Sequence, residues 1–145
     1  MDIKNITRDE KTAAIKLVYD VFMQFEASDY SQEGIETFMK TALYNNAFFD
    51  SLELYGSYIK NELVGVIATR SNGNHIALFF VKAEYQKQGI GKALFYRVVE
   101  NSTKNEITVN SSPYAVEVYH RLGFVDTNKE QLSDGIRYTP MIYRK

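Results

Sequence analysis

The sequence predicts an α+β domain: a mixed, mostly antiparallel sheet of about seven strands with four helices. Two observations lead there. Segments with apolar residues at helical spacing and segments rich in β-branched and aromatic residues follow one another without the regular alternation of a parallel α/β fold. One glycine-containing turn joins a strand to a helix that is followed by another strand, which implies a single parallel crossover. The 145 residues, 45% hydrophobic and 24% charged, suit one domain spanning residues 1–145.

Asp2 to Thr7 predicts the first strand. Ala14, Leu17, Val18, Val21, Phe22 and Phe25 then recur as one face of an amphipathic helix. Ser31 is placed to cap a second helix, with Glu33 in its first turn and Ile35, Phe38, Met39 and Ala42 on one side. An acidic loop, Glu26 to Tyr30, separates the two. Leu52 to Lys60 and Leu63 to Arg70 flank Asn61-Glu62 as a hairpin. His75 to Val81 is almost wholly apolar, the pattern of a central strand covered on both faces. Ile90, Ala93, Leu94 and Val98 mark the next helix, and Glu106 to Asn110 a short strand. Pro113 is placed to open a further helix, with Ala115, Val118, Tyr119 and Leu122 on one face and Gly123 to end it. Phe124-Val125 and Ile136 to Tyr143 supply the last strands.

Seventeen basic against eighteen acidic residues leave a net charge of −1, so no global field draws the chain to nucleic acid or an anionic membrane. The aromatic residues are not interleaved with a basic stripe either. Absence of cysteine excludes disulfides, zinc–thiolate sites and thiol nucleophiles, and it fits a cytoplasmic protein. The charged opening, Met1 to Lys11, does not resemble a signal peptide, and no apolar run approaches membrane-spanning length. A soluble cytoplasmic protein with no metal, nucleic-acid or membrane partner is the expectation.

Gln86 to Lys92 reads Gln-Lys-Gln-Gly-Ile-Gly-Lys between the apolar strand and the helix opening at Ile90. Gly89 and Gly91 let the backbone bend and approach a ligand closely. The helix they open offers unpaired N–H donors and a partial positive charge, with Lys87 and Lys92 adding cationic charge, so a phosphate or pyrophosphate fits there. A glycine-rich turn that binds nothing has the same appearance. The dinucleotide pattern lacks its third glycine, and Gly-x-x-x-x-Gly-Lys-Ser/Thr is absent, so neither of those nucleotide signatures applies.

Two longer segments resemble the GNAT acetyltransferase superfamily, and the resemblance extends over essentially the whole chain. Phe79-Phe80-Val81-Lys82-Ala83-Glu84-Tyr85-Gln86-Lys87-Gln88-Gly89-Ile90-Gly91-Lys92-Ala93-Leu94 is similar to the family's acetyl-CoA signature, Gln/Arg-x-x-Gly-x-Gly/Ala after a central strand. Asn110-Ser111-Ser112-Pro113-Tyr114-Ala115-Val116-Glu117-Val118-Tyr119-His120-Arg121-Leu122-Gly123-Phe124 is similar to its Ala-x-x-Phe-Tyr-x-x-x-Gly-Phe segment. The resemblance implies a GNAT fold whose central strand splays from the next parallel strand to admit pantetheine. It implies acetyl-CoA as cosubstrate, CoA as product, and an N-acetyltransferase acting on a primary amine of a small molecule, protein or peptide. The free backbone groups of Phe79 and Val81 would pair with pantetheine amides, amides from Gln88 to Lys92, including Gly89, Ile90 and Gly91, would hold the pyrophosphate, and Phe80, Gln86, Lys87, Asn110, Ala115 and Tyr119 would complete the cofactor site. For Asn110 a cap before Ser-Ser-Pro is an equal alternative.

Acetyl transfer needs a neutral amine, a polarised carbonyl and a proton for the departing thiolate. Tyr119, four residues before Gly123, takes the position of the family's acid; a phenol near pKa ~10 stays protonated and can donate to a thiolate whose thiol lies near ~8.5. A core tyrosine on an apolar helix face is the alternative on residues alone. His75, eleven residues before Gln86, holds the spacing at which histone-acetylating relatives carry a glutamate base, which makes it one candidate base; a polar strand end is the competing reading, and water chains to Glu33 or Glu84 are the other routes for the proton. The acceptor site is expected around Phe25, Tyr30 and Glu33. A non-catalytic acyl-CoA-binding or sensing module is the second functional reading, and a homodimer through the late strands is a further expectation.

Overall fold

Alternating apolar residues build the frame on which everything else is positioned. In the computed structural model, which describes residues 1–145, β1 (Asp2–Asn5), β2 (Glu53–Ile59), β3 (Glu62–Arg70), β4 (His75–Val81), β5 (Glu106–Ser111), β6 (Val125–Asp126), β7 (Gln131–Ser133) and β8 (Ile136–Arg144) join in one sheet. Its order is β1-β2-β3-β4-β5-β8-β6, with β7 paired to β8. Only β4 and β5 pair in parallel; every other neighbour is antiparallel.

Five α-helices cover the sheet: α1 (Lys11–Val21), α2 (Gln32–Phe38), α3 (Asn46–Ser51), α4 (Ile90–Asn101) and α5 (Val116–Leu122). Helices α1 to α3 bury Leu17, Val18, Phe22 and Phe49 against Val66, Leu78 and Phe80 on one face. Helix α4 presses Leu94 and Phe95 onto Val64, Ile67 and Ile107 on the other, and Tyr119 and Phe124 join that core. Phe95 is fully buried and meets Tyr143 edge-on at 5.0 Å, so truncating it to alanine would cost about 3–5 kcal/mol.

Several boundaries differ from the sequence expectation for local reasons. Helix α3 is an additional helix: Asn45 caps it by accepting the Phe48 N–H at 3.0 Å, and buried Phe49 anchors six residues, too few to show a period. Strand β7 is likewise additional, three residues held only against β8. The β2–β3 turn is Lys60-Asn61, not Asn61-Glu62, with both residues at positive φ (52° and 66°) as a two-residue mirror-image turn requires. Pro113 does not open α5. The Ser112 carbonyl and Oγ accept the Ala115 N–H at 3.1 and 3.3 Å, and the helix starts one residue later.

Helix α1 does not stop at Val21 but widens into a π-helical turn over Phe22–Glu26, closed by the Ala27 N–H donating to the Phe22 carbonyl. That extra residue in the turn keeps Phe22 in the core and carries Phe25 and Glu26 to the sheet's centre. Ser31 caps α2 as expected, accepting the Gly34 N–H at 3.2 Å. The β7–β8 hairpin docks on α2: Thr37 Oγ1 donates to the Asp134 carbonyl at 2.8 Å, Arg137 Nη1 donates to the Asp29 carbonyl at 3.1 Å, and the Gly34 and Gly135 backbones touch. A Cβ on Gly34 would collide with the Gly135 carbonyl. Gly34→Ala is therefore expected to lower stability by about 1–3 kcal/mol, read as a lower urea midpoint; an unchanged midpoint would show that the hairpin is free to move away.

Candidate active site

Strands β4 and β5 keep register at His75 with Thr108 and Ile76 with Val109, and then separate. A bulge sits at that point: Ala68 of β3 faces Leu78 while Thr69 faces Ile76, leaving Ala77 extra. The Lys82 N–H donates to the Val64 carbonyl at 2.9 Å; by alternation Phe80 and Leu78 turn their polar backbone to β3, and Phe79 and Val81 turn theirs into the gap. Gln86 Nε2 caps the Val81 carbonyl at 3.0 Å, so of the Val81 backbone the N–H remains for a ligand.

The gap is a cleft of about 610 Å³. One wall is Phe79, Phe80 and Val81; the opposite wall is Tyr114, Ala115, Val118 and Tyr119. Gln86, Lys87, Gly89, Gly91 and Lys92 edge one end, joined by Arg121. There the chain turns through two left-handed residues, Lys87 at φ 61° and Gly89 at φ 86°. No side chain caps the N-terminus of α4, so the N–H groups of Ile90, Gly91 and Lys92 stay available to an anion, as does the helix dipole. A Cβ on Gly91 would stand in van der Waals contact with Phe79 Cζ at 3.5 Å, whereas one on Gly89 would meet nothing within 4 Å.

Glu26 lies at the other side of this cleft. Burial pushes its carboxyl up to about 7, the charge of Asp29 adds to the rise, and its contact with Ser112 opposes it. Tyr119 is 5% exposed and sits between Phe79 and Phe124, at ring distances of 5.9 and 5.2 Å. Burial and the nearby Glu26 hold its phenol above the ordinary tyrosine range, so it stays protonated. Phe25 meets Tyr114 edge-on at 5.0 Å, and Tyr114 Oη donates to Gln86 Oε1 at 3.2 Å across the cleft.

A family model described as an acetyltransferase (GNAT) domain matches residues 26–145, most of the chain and all of the cleft's two strands and glycine turn. The chain belongs to the GNAT acetyltransferase family. Streptothricin acetyltransferase A of Bacillus subtilis (strain 168) is 28% identical to this GNAT domain over 119 residues, covering 73% of the chain; the chain spans 62% of that relative's length. A GCN5-related N-acetyltransferase from Rhodopseudomonas palustris has the same fold, with TM-score 0.83 at 16% identity over 99% of this chain and 95% of that one. The PaiA N-acetyltransferase of Thermoplasma acidophilum, solved in complex with coenzyme A, superimposes with TM-score 0.76 at 18% identity over the full length of both.

Of the residues singled out from sequence, Phe79, Phe80, Val81, Gln86, Lys87, Gly89, Gly91, Lys92, Ala115, Tyr119 and Phe25 meet at the cleft. Ile90 gives only its N–H, its side chain being buried under α4, and Gln88 points away, donating Nε2 to the Glu84 carbonyl at 2.9 Å. Asn110 is outside the cleft. Strand alternation buries Val109 and Ser111 and leaves Asn110 exposed opposite Pro140. Tyr30 stacks on Phe22 at 5.7 Å within the α1 core and reaches the site electrostatically through Glu26, while Glu33 is exposed on α2. His75 also lies apart from the cleft, at the paired end of β4 and roughly 13 Å along the strand from Phe79. Its Nδ1 meets Thr108 Oγ1 at 2.8 Å, and burial beside Arg70 lowers its pKa to about 4. Glu26 is the residue that spacing did not single out as a site group: its helical period ends at Phe25, and the acidic loop reads as solvated.

A histidine kept neutral by the fold binds its proton more readily when unfolded. Stability is then lost as pH falls from 6.5 towards 4. The stability difference between wild type and His75→Asn should shrink over that interval in urea titrations, and a constant difference would place His75 in solvent.

Proposed function

We propose that this GNAT domain transfers the acetyl group of acetyl-CoA directly to a primary amine. The observation that carries the reading is the parting of β4 from β5 after Ile76 and Val109, next to an α4 N-terminus with no side-chain cap. A slot between two strands accepts an extended, amide-bearing arm as a further strand would be accepted, and the free N–H of Val81 with the backbone of Phe79 supplies the pairing. At the slot's end the N–H groups of Ile90 to Lys92, with Lys87, Lys92 and Arg121, suit a pyrophosphate. The space about Gly89 is open, so a ligand can approach the backbone of the turn closely there.

Bound acetyl-CoA supplies an activated acyl group as a thioester. Backbone N–H groups along the open edge of β4 are donors for the thioester carbonyl, where negative charge grows during transfer. Tyr119, protonated and facing the cleft, donates its phenolic proton to the sulfur that departs. Its packing between Phe79 and Phe124 fixes the ring, so the hydroxyl needs no reorganisation to act.

Titration calorimetry with CoA is expected to give a dissociation constant in the micromolar range or tighter. Tyr119→Phe should keep that affinity and lose about 10²–10⁴-fold in turnover, followed as free-thiol release. No CoA binding would refute the reading. Binding without amine-dependent thiol release would instead favour an acyl-CoA-binding module, and unchanged turnover would remove Tyr119 from the chemistry.

A further inference from the structure

We propose that Glu26 is the group that receives the acceptor's ammonium and takes its proton, and that the acceptor is a compact primary alkylamine in its cationic form. The inference rests on the acetyl-transfer reading above and adds the residue and substrate class that reading leaves open.

The geometry starts with the π-helical turn. Phe22 to Glu26 makes one residue more per turn than α1, and its last residue, Glu26, thereby enters the cleft beside Tyr119 instead of facing water. Three elements converge on the carboxyl. From the short turn after α1 come Asp29 and Tyr30, from the end of β5 comes Ser112, and from α5 comes Tyr119. Three of these carry a hydroxyl or phenol, and the fourth, Asp29, is another acid.

No cation answers them. No salt bridge in the chain includes Glu26. Arg137 on β8, the basic residue near this group, is turned to Glu130 at 3.2 Å and to the Asp29 carbonyl at 3.1 Å. The cleft's other cations, Lys87, Lys92 and Arg121, make no ion pair with it. A half-buried carboxyl next to a second acid, with no cation of its own, is a site for a cation from outside. Phe25 and Tyr114, packed edge-on at the same wall, offer aromatic surface to the hydrocarbon body of an alkylamine.

The carboxyl's ionisation fits the task. Held near 7, about half of it is carboxylate in neutral solution, and it is a stronger base towards an ammonium of ordinary pKa about 10 than an unperturbed carboxylate. Glu26 takes one proton from the ammonium, and the freed nitrogen lone pair forms the C–N bond. The C–S bond breaks, its electron pair stays on sulfur, and sulfur takes the phenolic proton of Tyr119. The second nitrogen proton returns to Tyr119, and Glu26 releases its proton to water.

The test compares wild type, Glu26→Gln and Glu26→Asp with 1,3-diaminopropane and 1,6-diaminohexane as probe amines. Calorimetry with CoA comes first and separates the two proposals: absent binding in wild type defeats the acetyl-transfer reading itself. With binding present, the inference expects diamine acetylation whose kcat/KM rises with pH through an inflection near 7, as the free carboxyl ionises. Glu26→Gln should lose about 10²–10⁴-fold and the inflection together, with CoA affinity unchanged, and Glu26→Asp should regain part of the rate. A second readout needs no turnover. A carboxyl raised from 4.5 to about 7 makes the folded state less stable as pH climbs through that interval, so Glu26→Gln should gain stability over wild type between pH 4.5 and 7 and keep that gain above it. CoA binding with no acetylation of either diamine, or an inflection and stability profile unchanged in Glu26→Gln, would overturn the inference.

Discussion

Strands β4 and β5 pair at only two positions, and every group that bears on function lies beyond the second of them. The separation is imposed from both sides. Phe79 and Val81 support the glycine turn and α4, while Ser112 and Pro113 turn the chain sharply from β5 into α5. Between them, backbone donors and acceptors that would close a parallel ladder face an open cleft. Buried and unpaired, each would cost about 1–3 kcal/mol; in a cleft of about 610 Å³ they are solvated until a ligand replaces the water. The same edge is thus a tolerable defect of the sheet and a template for an extended ligand.

The cleft is also polar in the electrical sense, and its two sides do different work. At the glycine turn, Lys87, Lys92, Arg121 and the open N-terminus of α4 are positive. At the end of the π-helical turn the cleft presents an acid, Glu26, close to Tyr119, whose proton is held in place by burial. A chain with a net charge of −1 achieves this by local placement alone. On the proposed reading the anionic donor would meet the glycine turn and the cationic acceptor would meet Glu26.

The sheet, the central apolar strand and the glycine turn were legible because each depends on a pattern a few residues long: alternation over β4, φ-demanding glycine at 89, helical spacing over α4. The second motif was legible for the same reason, with Tyr119 four residues before a helix-ending glycine. Elements without a period were not: α3 is six residues held by Phe49, and β7 is three residues held by β8. Asn110 and His75 illustrate a different limit. Spacing along a strand places a residue in sequence but not on a face, and the bulge at Ala77 with the parting of β5 decides which residues see the cleft. Glu26 was hidden for a related reason, since a π-helical turn shifts the helix by one residue and leaves no mark on the apolar pattern.

The central claim is that the unpaired edge of β4 and the first turn of α4 together form one ligand-binding surface. Amide hydrogen exchange with and without acetyl-CoA measures it residue by residue. The account predicts new protection at Phe79 and Val81 and at Ile90 to Lys92, with β1, β2 and β7 unchanged. Protection confined to other segments, or no protection at β4 while acetyl-CoA is bound, would contradict it.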